Sequence, residues 1–127
     1  MPRTILIVDD SETCLATLEV ALMSLPDVEI LPATSAASAL ALLADRGSSV
    51  RLLVTDLDLR RTDGFDLIER VRCQPRFSEL PIAVISGDCN PRTPERLRRM
   101  GVNTYIAKPY SPAEVRQILE PFLDVRT

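Results

Sequence analysis

Four short strand-favouring runs in this chain each end on a residue suited to chemistry. Ile5-Leu6-Ile7-Val8 is followed by Asp9 and Asp10, Leu52-Leu53-Val54-Thr55 by Asp56, the run from Leu80 to Ile85 by Ser86, and Tyr105-Ile106-Ala107 by Lys108. Lys108 is the only lysine, although arginine is used freely along the chain. Carboxylates brought together repel one another, and one or more would protonate without a compensating cation. Mg²⁺ meets that need, because it takes oxygen ligands and usually binds through one or two carboxylates plus water and phosphate oxygens. The same ion neutralises charge on a phosphoryl group moving to a carboxylate, which makes Asp56 a candidate nucleophile. A compact ammonium such as Lys108 fits against a single oxygen where the planar arginine fork would demand two.

Positioning these residues falls to elements of alternating period. Ile5 to Val8 reads as a strand buried on both faces. Ser11 is an N-cap, and Cys14, Leu18, Ala21, Leu22 and Leu25 recur at helical spacing until Pro26 and Asp27 stop the pattern. Val28 to Pro32 forms a second strand, and Ala36, Leu40 and Leu43 mark a helix closed by Gly47. After the third strand and a polar loop, a helix starts near Phe65 with Ile68 and Val71 inward, and Leu80 to Ile85 makes the fourth strand. Thr93 before Pro94 reads as a cap and first-turn proline of a short helix that Gly101 ends. Ser111-Pro112-Ala113-Glu114 is a capping box opening a last helix with Val115, Ile118, Leu119 and Phe122 on one face, its final turn loosened by Pro121. Five strands alternating with five helices imply a parallel sheet covered on both faces, with its site at the carboxyl ends of the strands.

Bulk properties narrow the possibilities. A length of 127 residues suits one domain spanning the chain, 1–127. With 46% apolar and 26% charged residues the composition is that of an ordinary globular protein. A net charge of -3 offers no general attraction to phosphate backbones, so no direct nucleic-acid binding is expected. Neither a signal peptide nor a membrane-length apolar stretch is present, which points to the cytoplasm and away from membranes. Cys14, Cys73 and Cys89 are widely spaced and are read as reduced thiols, and the absence of histidine removes His-based catalysis and His-ligated metals.

The segments ILIVDD, LLVTDLDLRRTDG, AVISG and YIAKPY, in that order and spacing, resemble the signature segments of response-regulator receiver domains, and the likeness covers essentially the whole chain. The resemblance implies a CheY-like, flavodoxin-like (βα)5 fold, a doubly wound parallel sheet of order 2-1-3-4-5. It implies that Asp56 accepts a phosphoryl group, that Asp10 binds Mg²⁺ directly and Asp9 through water, and that the Asp58 backbone carbonyl is a further ligand. Ser86 and Lys108 would contact the acyl phosphate, and Tyr105 would rotate inward as Ser86 moves. The expected partners are a histidine kinase or histidine phosphotransfer protein, a downstream output domain or protein, and a second copy through the face of the fourth helix, fifth strand and fifth helix. Receivers usually carry proline four residues after the acceptor; here that position is Arg60. Asp58 and Asp88 stand two residues beyond Asp56 and Ser86, and the resemblance implies that they tune the lifetime of the phosphoryl state.

Each motif also has a plainer meaning. Acid pairs at strand ends often cap the following helix, Ser86-Gly87-Asp88 alone reads as a turn, and Tyr105 alone as strand packing. Arg92, Arg96, Arg98 and Arg99 read most simply as a solvated helix face, and Cys89 as inert. Two rival functions remain. Asp56-Leu57-Asp58 resembles the nucleophile and general acid of haloacid-dehalogenase-like phosphatases, although that family puts its acidic pair last and needs room for a cap. A receiver serving only as a binding scaffold is the other, although such chains usually lose the acceptor or the lysine.

Overall fold

A computed structural model describes residues 3–59, 63–88 and 90–123. The elements run β1 (Arg3–Val8), α1 (Glu12–Met23), β2 (Val28–Ala33), α2 (Ala36–Arg46), β3 (Val50–Thr55), α3 (Gly64–Arg72), a 3-10 turn (Pro75–Phe77), β4 (Ile82–Ser86), α4 (Thr93–Arg99), β5 (Thr104–Ala107) and α5 (Pro112–Leu123). All strand pairs are parallel, in the order β2-β1-β3-β4-β5. That is the doubly wound order expected.

Alternation along the buried strands divides the core. Leu6, Val8, Leu53, Ile82 and Val84 pack with Ala36, Ala39 and Leu43 of α2, Leu67, Ile68 and Val71 of α3, and Leu97 of α4. Ile5, Ile7, Leu52, Val54, Ala83, Ile85 and Ile106 face the other way, onto Leu15, Leu18 and Leu22 of α1 and Val115, Leu119 and Leu123 of α5. Successive strand side chains point to opposite faces, so an unbroken apolar run serves two cores at once.

Several expectations need correction. Thr93 is not the cap of α4: it is the first helical residue, and Arg92 stands at the N-cap without a side-chain hydrogen bond. The fourth strand begins at Ile82 rather than Leu80, β2 extends to Ala33, and β3 starts at Val50. In α2 Ala36 and Leu43 are buried as expected, but Ala39 takes the third inward position and Leu40 is only half-buried beside it. Gly47 ends α2 in right-handed geometry, whereas Gly101 after α4 has φ of 90°, where a side chain would be strained. Pro121 lies inside α5, which continues to Leu123. Ser11 caps α1 through the Cys14 N–H, and Ser111 and Glu114 form the reciprocal box at α5.

A polar staple holds edge strand β2. Glu29 pairs with Arg46 of α2 at 2.7 Å and accepts from Thr4 of β1 at 3.1 Å. The Arg46 bond, then the Thr4 bond, hold the Glu29 carboxyl below its usual range. A lowered folded-state pKa gives stability that is present above the unfolded value and lost as pH falls through the folded one. The urea midpoint of Glu29→Gln is therefore expected to lie below wild type at pH 7, with the gap closing as pH is lowered below the carboxylate range.

Candidate functional site

The carboxyl ends of β1, β3, β4 and β5 lie on one edge of the sheet, and the strand order puts the switch point, where open parallel sheets form their crevice, between β1 and β3. Asp9 and Asp56, one residue past β1 and β3, are each 7% exposed, and Asp10 is half-buried beside them. The Asp56 N–H donates to the Val8 carbonyl at 3.0 Å, which locks the end of β3 to β1. Lys108, just after β5, reaches back with Nζ 3.0 Å from Asp56 Oδ2 and 3.6 Å from Asp9 Oδ2. Its backbone N–H donates to the Ser86 carbonyl at 2.9 Å, so the end of β4 sets where the lysine starts.

The electrostatics follow from crowding. Burial raises the Asp9 carboxyl pKa, with the nearby charges of Asp56 and Asp10 adding to it, against the Ser11 N–H bond and Lys108, which lower it. Burial acts to lower the Lys108 pKa, but the hydrogen bond and charge of Asp56 and the charge of Asp9 outweigh it, so the ammonium is held above its usual range. One ammonium stands among three acids. A buried, oxygen-only donor set with excess negative charge fits a hard divalent cation. Among the described residues no three His, Cys, Asp or Glu side chains are placed to hold a metal by themselves. Mg²⁺ does not require such a cage, because water and phosphate oxygens complete its shell.

Ser86 is fully buried at the end of β4, and its Oγ accepts the Asp88 N–H at 3.0 Å. Asp58 is exposed, with its N–H donating to Asp56 Oδ1 at 3.2 Å. Tyr105 packs half-buried against the α2–α4 side of the core, and its hydroxyl donates to the Asp88 carbonyl at 2.9 Å. The Asp88 carboxylate bonds to Thr93 and to the Asn90 N–H. Thus Asp9, Asp56 and Lys108 are in direct contact, while Ser86, Asp88 and Tyr105 form a second connected group. The arginines of α4 are exposed: Arg98 and Arg99 share Glu95, and the Arg96 guanidinium lies 3.7 Å from the Phe65 ring centroid. Cys14 and Cys73 are free thiols; Arg60 and Cys89 lie outside the described residues.

Two neighbours of the candidate site were missed from sequence, Thr93 as partner of Asp88 and Gly64 as a spacer beneath Asp56. A Cβ on Gly64 would come 2.4 Å from the Asp56 carbonyl oxygen and 2.7 Å from Leu57 Cα, and neither backbone atom can swing aside. The Asp63-Gly64 pair was a usable signal, since Asp63 caps α3 and glycine permits the close approach. Gly64→Ala is expected to lower unfolding free energy by about 2 kcal/mol, the usual scale of overpacking, as read by urea denaturation, and to move the backbone amide resonance of Leu57.

The sheet order and the edge crevice define a flavodoxin-like α/β protein. Residues 5–120 match the response regulator receiver domain, and the chain belongs to that family. It is 32% identical over 119 residues to chemotaxis protein CheY1 of Helicobacter pylori, covering 94% of this chain and 95% of that one. A CheY homolog of Campylobacter jejuni is 29% identical over the same length, covering 94% and 91%. Among solved structures, the non-phosphorylated HemR receiver domain of Leptospira biflexa superposes with a TM-score of 0.87 at 26% identity, covering 100% and 98% of the two chains. CheY4 of Vibrio cholerae shares the fold with a TM-score of 0.84 at 21% identity, over 96% and 99%. Receiver domains act in two-component signalling as phosphoacceptor switches rather than turnover enzymes, working with histidine kinases and downstream targets. Among the described residues, no helix is long and apolar enough to cross a membrane.

Proposed function

We propose that the whole chain acts as one cytoplasmic receiver domain. It accepts a phosphoryl group on Asp56 from the phosphohistidine of a histidine kinase or histidine phosphotransfer protein. It signals by reshaping its α4–β5–α5 face toward a downstream protein, an output domain or a second copy. The observation that carries this reading is the 3.0 Å contact of the only lysine with Asp56 Oδ2, in a crevice shared with Asp9.

In the transfer an Asp56 oxygen attacks phosphorus, the O–P bond forms, the P–N bond to imidazole breaks, and the nitrogen keeps the electron pair. The Asp58 N–H orients the Asp56 carboxylate, and Lys108 stabilises charge as it develops on the phosphoryl oxygens. Ser86 then turns its hydroxyl to the bound phosphoryl group, with Tyr105 following. Asp10 directly, Asp9 through water, the Asp56 carboxylate and the Asp58 carbonyl would hold Mg²⁺. When bound, that ion neutralises charge on the group being transferred. Asp58 and Asp88 govern water's access to the acyl phosphate and so its lifetime.

Intact-mass spectrometry after incubation with acetyl phosphate tests the proposal. A gain of one phosphoryl group with Mg²⁺ and none with chelator is expected, and the decay of that adduct reads the influence of Asp58 and Asp88. Consumption of acetyl phosphate without an adduct would instead support the phosphatase, and neither event the scaffold.

A further inference from the structure

Asp88 gathers bonds from three elements. Its N–H donates to Ser86 Oγ at the end of β4 (3.0 Å), its carbonyl accepts the Tyr105 hydroxyl of β5 (2.9 Å), and its Oδ2 accepts the Thr93 hydroxyl of α4 (2.7 Å). Oδ1 accepts the Asn90 N–H at 2.8 Å, and Asn90 in turn accepts from the N–H groups of Arg92 and Thr93. The entry to α4 therefore hangs from the Asp88 carboxylate, directly through Thr93 and indirectly through the Asn90 turn that the same carboxylate holds.

The rest of α4 is lightly held. It has seven residues, only Thr93 and Leu97 are buried, and its N-cap lacks a side-chain bond. Its far end is pinned differently: the Arg72 guanidinium donates to the carbonyls of Gly101 (2.6 Å) and Phe77 (2.7 Å), tying that end to α3 and the 3-10 turn. A short helix fixed at its C-terminal end and tied at its start only through the Asp88–Asn90 turn can pivot when Asp88 shifts.

We propose that Asp88 is the positioning residue that couples the acceptor pocket to α4, with Thr93 as its anchor in the helix. This rests on the phosphoacceptor reading above. When the Ser86 hydroxyl turns to a phosphoryl group on Asp56, it gives up the Asp88 N–H. Asp88 shifts, and the Thr93 bond that holds the first turn of α4 is released. The Thr93 bond, then the Asn90 N–H, keep the Asp88 carboxyl below its usual range, so the anchor is ionised at neutral pH.

The test is hydrogen exchange at the Arg96 and Leu97 amides of the full chain, with and without beryllium fluoride and Mg²⁺ as a phosphoryl mimic. In wild type the mimic is expected to speed exchange about tenfold through local opening of α4. Thr93→Val should exchange at the faster rate already and gain nothing more from the mimic, while Thr93→Ser, which keeps the hydroxyl, should behave as wild type. A Thr93→Val protein that retains the wild-type response, or in which both states speed up equally, would overturn the coupling and leave Thr93 a mere helix anchor. Absence of bound beryllium fluoride in wild type, read by fluorine resonance, would overturn the acceptor reading on which the coupling rests.

Discussion

Asp56→Ala is expected to take up no phosphoryl group from acetyl phosphate at any Mg²⁺ concentration, yet to keep its stability within about 1 kcal/mol of wild type. Loss of the adduct follows from loss of the attacking oxygen. The small change in stability follows from the charge balance: with Asp56 gone, Lys108 still has Asp9 at 3.6 Å, and Asp9 loses one of the charges that raise its pKa. Truncating one member of a buried pair is costly when it strands the other, and here it strands neither. Intact mass reads the adduct, and a urea titration reads the stability. A mutant that still gains a phosphoryl group would move the acceptor elsewhere.

Lys108→Ala removes the ammonium from a cluster that keeps its three acids. Phosphorylation by acetyl phosphate is expected to slow by about 10²-fold, the usual effect of deleting one group that stabilises transition-state charge. Stability should fall as well, by about 1 kcal/mol once discounted for solvent screening, because the lysine side chain is 29% exposed. Its pKa is raised in the folded state, so its contribution is present below the unfolded lysine value and lost as pH rises through the folded one. The wild-type advantage over Lys108→Ala should thus persist at neutral pH and fade at strongly alkaline pH. Lys108→Arg keeps a charge but brings a planar fork to a single-oxygen contact, and its phosphorylation rate should stay well below wild type. Stopped-flow or mass-resolved time courses separate these variants.

Local pattern made most of the fold legible. Ile5 to Val8 reads as a doubly buried strand because four consecutive apolar residues leave no solvent face. The polar residues that end the runs pointed to one place, and Asp9, Asp56 and Lys108 do lie together there, since a parallel sheet collects its strand ends on one edge. Pairing between strands distant in sequence was less accessible: nothing in β1 alone says that β3 is its neighbour, and the order came from family likeness. Thr93 shows a different limit. Its place before proline mimics a cap, and only the turn through Asn90 reveals that its hydroxyl faces back to Asp88. Arg72 illustrates the same difficulty, because a half-buried guanidinium serving two backbone carbonyls leaves no sequence periodicity.

The solitary lysine has a practical side. Apart from the chain's own α-amino group, amine-directed reagents have one target, and that target touches Asp56 at 3.0 Å. A ¹³C-methyl group placed on Lys108 by reductive methylation would yield a single side-chain resonance, and its reactivity toward an active ester would report the occupancy of the crevice. Chemical labelling, which in most proteins scatters over a surface of lysines, here becomes a probe of one carboxylate's neighbourhood.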